Sequence, residues 1–255
     1  MNKRIGFIGS GHIAQILINS VVSKGVVEPG NIFINDKITE LAQTKSRELG
    51  VNFCGSISEV FASADYVFMC VRSEHVAGVV DEIAAECSIS GKTIISISSG
   101  IPISLYQKKL GQVSVARALP NPPSKIGYGA VAVCIENVVE EGPRTDIMEM
   151  FSSMGDCFAL DEEQINIATA VTGPAPVLAF YEAIIESSVL LGIDRPTSEK
   201  LVYKTLEGCL KMWEKSGDLS KLLVQTSTPA GISVKQNYEL EKGCFKATVK
   251  KCYEE

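Results

Sequence analysis

Two short stretches hold the residue types from which chemistry is built. The first is GFIGSGHIA, Gly6 to Ala14, which sets Gly9, Gly11 and Ala14 in a G-x-G-x-x-A spacing between an apolar run and a helical pattern. Small residues there permit a tight turn and let backbone N–H groups close on a pyrophosphate at a helix N-terminus. A strand before, a helix after and a second strand about 20 residues on are the context in which such a turn binds a dinucleotide rather than merely packs. Gly9, Ser10, Gly11, His12, Ile13 and Ala14 are therefore candidates for cofactor binding, with His12 a loop residue at the solvent edge and not a catalyst. The second stretch is TSTPAGIS, Thr226 to Ser233, where hydroxyls surround a Pro-Ala-Gly break inside an otherwise helical region. Hydroxyls and free N–H groups ahead of a helix suit a carboxylate. The plain alternative is a loop joining two helices.

Cofactor choice turns on the end of the second strand, NIFIN (31–35), which runs into Asp36 and Lys37. An acid at that place favours the free ribose 2′-hydroxyl of NAD. Asn35 and Lys37 can accept a 2′-phosphate and Asp36 repels it, so NADPH is the first choice and NADH the alternative. Val71, Arg72 and Ser73 close the fourth strand, where such sheets hold nucleotides. Pro120 fixes a bend after a later strand and Asn121 can bond across the loop. These two are expected to form part of the cofactor wall, against the simpler reading of a rigid turn. A metal site is not expected. The chain has two histidines, and its eight cysteines include no CxxC pair.

The elements that must position these residues follow from hydrophobic periodicity. Up to about residue 160, short apolar strands alternate with helical patterns: RIGFI, NIFIN, NFCG, DYVFMCV, KTIISIS, QVSVARAL, GAVAVCI and CFAL are the strands. DYVFMCV is apolar throughout, as in a parallel strand buried on both faces. The alternation predicts an α/β, Rossmann-type doubly wound sheet with right-handed crossovers. Beyond Asp161 the segments read as helices split by Gly, Pro and Ser. The expected organisation is a dinucleotide-binding domain over 1–160 and an all-helical substrate-binding and dimerisation domain over 161–255. A net charge of −6 argues against a nucleic-acid or anionic-membrane surface. No apolar run is read as long enough to span a membrane, and a chain entering a strand at residue 4 leaves no room for a signal peptide. Cysteines such as Cys70 and Cys134 sit in apolar runs as small hydrophobes, which points to reduced thiols and the cytoplasm.

At VARALPNPPSKIGYGAVAV the chain resembles the pyrroline-5-carboxylate reductases, whose pattern is a strand, R-x-M-P-N-x-P and a small-residue turn. Here the residues are Arg117-Ala118-Leu119-Pro120-Asn121-Pro122-Pro123, then Gly127 and Gly129. GFIGSGHIA is similar to the family's opening. CVRSEHV (70–76) resembles its VKP loop, with Arg72 for Lys and Ser73 for Pro. SISSGIP (96–102) resembles its post-strand glycine turn, GPAPVLAFYEAI (173–184) its GPAY helix start, and TPAGIS its SPGGTT. The resemblance implies that the SPGGTT-like turn opens a helix and holds the substrate carboxylate, with a hydroxyl near the ring nitrogen. Carried over by residue, Thr228, Pro229, Ala230 and Gly231 take the carboxylate, with Thr172, which stands for a family serine, near it; Ser233 makes the nitrogen contact, and Glu182 keeps an acid of the following helix.

The implied reaction is NAD(P)H-dependent reduction of 1-pyrroline-5-carboxylate, a cyclic imine, to L-proline. An imine nitrogen is basic enough to arrive protonated, so the lack of a catalytic His or Lys fits. The family's interlocked C-terminal helices imply a homodimer or larger assembly. The chain departs from the family where TGLSGSGPAY becomes IATAVTGPAP (167–176), with Ala168 and Val171 for glycines and Pro176 for tyrosine. It departs again where Ala230 and Ile232 replace a glycine and a threonine. Those changes leave open a related reductase on another imine or small carboxylate, or a non-catalytic nucleotide-binding descendant. The β-hydroxyacid dehydrogenases share the architecture but carry a lysine on the long helix, which TGPAPVLAFYEAIIES lacks.

Overall fold

The computed structural model describes residues 3–136, 139–227 and 231–254. The chain begins with β1 (Ile5–Ile8), α1 (His12–Ser23), β2 (Ile32–Asn35), α2 (Thr39–Leu49), β3 (Asn52–Phe53), α3 (Ile57–Ser63) and β4 (Tyr66–Met69). It continues with α4 (Ser73–Glu86), β5 (Thr93–Ser96), α5 (Ile103–Leu110), β6 (Ser114–Leu119), β7 (Gly129–Ile135), α6 (Glu141–Ser152), β8 (Gly155–Ala159) and α7 (Glu162–Val171). The eight strands form one sheet in the order β3-β2-β1-β4-β5-β6-β7-β8. β1 pairs parallel with β2 on one side and with β4 on the other. Successive connections thus leave β1 in opposite directions, and the crevice at its C-terminal end is the topological switch point where α/β sheets bind ligands.

The expected parallel winding has one exception, because β6 and β7 run antiparallel. They are joined by a single 3-10 turn, Pro122–Ile126, and not by a helix. A parallel crossover needs a dozen or more residues, so a link this short must reverse the chain. β8 returns to parallel pairing with β7 after α6.

Burial explains the strand composition. β1, β4 and β5 are buried at every position, as parallel strands covered on both faces must be. One face packs α1 and α6 through Leu17, Ile18, Ile147 and Phe151. There Phe7 stacks on Phe68 with ring centroids 4.7 Å apart, and Phe151 meets Phe68 edge-on. The other face packs α3, α4, α5 and α7 through Phe61, Val80, Tyr106 and Ile165.

The chain divides into two compact units, Met1–Thr172 and Gly173–Glu255. α7 reads as part of the helical half by its class, yet its contacts join it to the sheet: Ile165 is fully buried in the sheet's core. The second unit contains α8 (Ala175–Leu190), α9 (Arg195–Ser216), α10 (Leu219–Gln225), α11 (Ile232–Lys242) and α12 (Phe245–Lys251). Asp194 caps α9 by accepting from the Thr197 N–H, and Gly217 ends it in the left-handed conformation. Ser188 and Ser198 hydrogen-bond between α8 and α9, and Phe180 packs on Phe245 at 5.3 Å.

One expectation about apolar runs needs correcting. Glu162–Leu190 carries an 18-residue window of mean hydropathy 1.3, apolar enough by length and composition to cross a membrane. The segment is divided into α7 and α8, however, and the 16 residues of α8 span about 24 Å against a hydrocarbon core of about 30 Å.

Two sites in this frame give tests. Gly155 has φ +143°, and a Cβ there would lie 2.1 Å from the Gly129 carbonyl oxygen. Gly155→Ala should cost at least about 3 kcal/mol in urea unfolding, whereas Gly25→Ala, at φ +67° in open space, should cost about 1–2 kcal/mol. Asp146 accepts from the Tyr66 hydroxyl and pairs with Lys3 at 2.8 Å. Burial raises its pKa, but these partners together hold the carboxyl below its usual value. A depressed folded-state pKa stabilises above the unfolded value and is lost as pH falls. Asp146→Asn should therefore be less stable than the parent at neutral pH, with the difference fading below about pH 4.

Candidate active site

The phosphate turn grows directly from the end of β1. Gly9 has φ +98°, and a Cβ there would sit 2.7 Å from the Cys70 carbonyl oxygen. Both its backbone conformation and this close approach to β4 exclude a side chain. Gly11 precedes α1 in extended conformation and offers no side-chain cap, so the first-turn N–H groups of α1 are left for a ligand. Gly11 has open space where a Cβ would be, and Ala14 is fully buried against the sheet. Gln15 Nε2 donates to the Ser10 carbonyl at 2.9 Å and braces the turn. His12 is exposed at the first position of α1, as a solvent-edge residue should be. These features fit a dinucleotide pyrophosphate.

The residues flanking this turn divide into those that face it and those that do not. Asp36 does: its carboxylate accepts from the Ser10 N–H at 2.7 Å and the Ser10 hydroxyl at 2.9 Å. Asn35 does not offer its amide as expected, because its side chain is buried and Nδ2 donates to the Cys54 carbonyl at 3.0 Å. Lys37 is exposed. At the end of β4, Ser98 donates to the Val71 carbonyl and Ser73 to the Ser99 carbonyl, both at 2.8 Å. Those bonds tie the loops after β4 and β5 together. Arg72 is 83% exposed in its side chain and lies 3.8 Å from Glu74.

Asn121 bonds across its loop, as expected. Its Nδ2 donates to the Thr172 carbonyl at 3.0 Å, and its Oδ1 accepts from the Ala130 N–H at 3.0 Å. It thereby joins the turn after Pro120 to β7 and to the end of α7. Thr172 donates its own hydroxyl to the Ala168 carbonyl at 2.8 Å, so only its oxygen lone pairs remain for another partner.

Sequence reasoning missed what holds α7 at its other end. Arg117, 1% exposed within β6, donates to Glu162 at 3.1 Å and to Asn166 at 2.9 Å. Glu162 Oε1 also accepts the Ile103 N–H at 2.7 Å. The signal was an arginine in the middle of the apolar strand SVARAL, a charge that must find a partner when buried. Arg117 and Asn121, four residues apart, clamp the start and the end of the same helix.

In the helical unit, Gly231 precedes α11 in extended conformation with no side-chain cap, and Ser233 is the second residue of that helix. Asn237 donates to the Ser227 hydroxyl at 3.3 Å and ties α11 back to the segment leading into it. Thr228, Pro229 and Ala230 lie outside the described residues. Glu182, expected at the substrate, accepts from Arg195 at 2.6 Å, and Arg195 also pairs with Glu199. Its carboxylate is thus already engaged on the surface of this unit.

A cavity of about 1110 Å³ lies between β7, α6 and α7, lined by residues including Cys134, Glu136, Arg144, Met148 and Glu162. It shares no residue with the phosphate turn. Burial pushes the thiols of Cys54, Cys70, Cys134 and Cys157 upward and that of Cys87 to about 11, so none of these five is primed as a thiolate nucleophile. No cluster suited to a metal occurs among the described residues.

The comparisons with known proteins bear on both halves. Residues 4–100 match the family described as NADP oxidoreductase coenzyme F420-dependent. Residues 162–255 match pyrroline-5-carboxylate reductase dimerisation. A pyrroline-5-carboxylate reductase from Corynebacterium melassecola is 28% identical over 97% of this chain and 95% of its own length. The crystal structure of Plasmodium falciparum pyrroline carboxylate reductase with NADP bound is 26% identical, with a TM-score of 0.85 over 99% of this chain and 95% of that one. A pyrroline-5-carboxylate reductase from Coxiella burnetii, 24% identical, shares the fold over 100% of this chain and 96% of its own, with a TM-score of 0.88.

The α7 clamp can be tested by a double-mutant cycle. Arg117 is buried but Glu162 is partly exposed, so Glu162→Gln strands the guanidinium at a cost that solvent moderates, about 1–2 kcal/mol in thermal unfolding. Adding Arg117→Met to that variant should recover part of the loss, a non-additivity that two independent residues would not show.

Proposed function

We propose that the chain is a member of the pyrroline-5-carboxylate reductase family and catalyses NAD(P)H-dependent reduction of 1-pyrroline-5-carboxylate to L-proline, the closing step of proline biosynthesis. The observation that carries this reading is similarity to reductases of that name along 97% of the chain, with the nucleotide turn built as such a reaction requires. It is an oxidoreductase whose sheet carries the nicotinamide nucleotide at the switch point. Gly9, Gly11 and the open N-terminus of α1 take the pyrophosphate. When bound, the reduced nicotinamide supplies the hydride.

The remaining work of this chain is orientation. The imine carries its own proton, so what it needs from the protein is a grip on the carboxylate and a partner at nitrogen. We assign the carboxylate to residues Thr228, Pro229, Ala230 and Gly231 with the uncapped N-terminus of α11, whose dipole favours an anion. Ser233 takes the ring nitrogen, accepting its N–H on the hydroxyl oxygen. Thr172, expected near the carboxylate, donates its hydroxyl hydrogen to the Ala168 carbonyl and so has no donor left for that group.

The helical unit supports homo-oligomerisation, and we propose a homodimer or larger assembly working in the cytoplasm on a small-molecule substrate, without nucleic acid or membrane. Leu178, Leu190, Leu201, Tyr203, Leu210 and Trp213 are exposed in the single chain, apolar area of the kind that subunit contacts cover.

Loss of reduced-nicotinamide absorbance with 1-pyrroline-5-carboxylate is the direct assay. Ser233→Ala should lower kcat/KM by about ten- to a hundredfold, the worth of a hydrogen bond to a charged group, with its melting temperature unchanged. Turnover by the parent that Ser233→Ala leaves intact would remove Ser233 from the site. No turnover with either nucleotide would overturn the activity.

A further inference from the structure

Cofactor choice rests on Asn35, which ends β2, and on Asp36 and Lys37 after it, and their side chains are sorted by the fold. Asn35 is turned inward, with its amide given to Cys54. Asp36 is held over the phosphate turn by three donors: the Ser10 N–H, the Ser10 hydroxyl and, on its other oxygen, the Ile38 N–H at 3.1 Å. The Ser10 N–H belongs to the residue between Gly9 and Gly11, so the carboxylate stands where the adenosine ribose must pass on its way to the pyrophosphate. A carboxylate offers about four acceptor positions. Three are filled by the protein, and the geometry leaves capacity for a ribose hydroxyl.

We infer that Asp36 selects NADH over NADPH in this chain, by accepting a hydrogen bond from the adenosine 2′-hydroxyl and repelling a 2′-phosphate. The inference rests on the reductase reading and refines it. It also separates this chain from the Plasmodium falciparum relative, whose structure holds NADP. A 2′-phosphate would place a second anion beside a carboxylate that three hydrogen bonds prevent from swinging away. Lys37 acts in the opposite sense, but it is an exposed point charge on a flexible stem, where water and salt screen its attraction. The pinned charge at short range outweighs the mobile one.

Binding decides this independently of turnover. Calorimetric titration of the full-length protein with NADH and with NADPH, without substrate, should show NADH tighter by about tenfold or more, which is about 1.4 kcal/mol. Asp36→Ser should close or reverse that ratio, and Lys37→Ala should leave NADH preferred. Asp36→Asn, which keeps the shape and removes the charge, decides the point if the serine variant does not fold. Equal or tighter binding of NADPH by the parent overturns the inference, as does an unchanged ratio in both Asp36 variants. NADH preference without turnover of 1-pyrroline-5-carboxylate upholds the inference and sinks the substrate assignment. Failure to bind either nucleotide sinks both.

Discussion

The close approach of Gly9 to the Cys70 carbonyl is the constraint on which the nucleotide half depends. β1 is paired on both sides, so the chain leaving it has no lateral room and must turn at once. Only a residue without a Cβ can turn there, with positive φ and a carbonyl at van der Waals range. The turn then fixes the direction of α1, leaves that helix's first N–H groups uncapped, and delivers the Ser10 N–H to Asp36. One steric fact about β1 and β4 thus sets the anion site and the position of the acid beside it.

A second constraint acts on the far side of the sheet. Burying the Arg117 guanidinium is costly, and Glu162, Asn166 and the strand's packing have to offset that cost. The return is positional: a planar fork with several donors holds α7 in one register, where an apolar contact would let it slide. Asn121 completes the arrangement at the Thr172 end. The residues that resemble a family motif in sequence, Arg117 to Asn121, act here as a support for the helix leading to the 172–176 segment.

The helical unit shows the opposite economy. α8 has no buried residue in the single chain, and its apolar side chains are spread around it without a strong stripe. A helix apolar on all sides is one that is meant to be covered. The match to a dimerisation family over 162–255 supports homo-oligomerisation through this unit.

Much of this was legible in local chemistry. Strand runs such as YVFM, the glycine turn and the Gly, Pro and Ser breaks between the helices depend on neighbours a few residues away, so they could be read along the chain. The antiparallel β7 was missed because its cause is a link too short for a crossover, which hydrophobic periodicity does not register. Asn35 and Asp36 stand side by side in sequence, one suited to a 2′-phosphate and the other to a free 2′-hydroxyl. Their fates diverge because successive side chains at a strand end point to opposite sides, one into the Cys54 loop and one over Ser10. Arg117 could be marked as a charge needing a partner, but Glu162 and Asn166 lie 45 and 49 residues away. Pairings over that distance exist only once the sheet and α7 have packed. Residue type and spacing carried the fold class and the chemistry on offer. Long-range packing chose which of those side chains face a ligand and which hold the protein together.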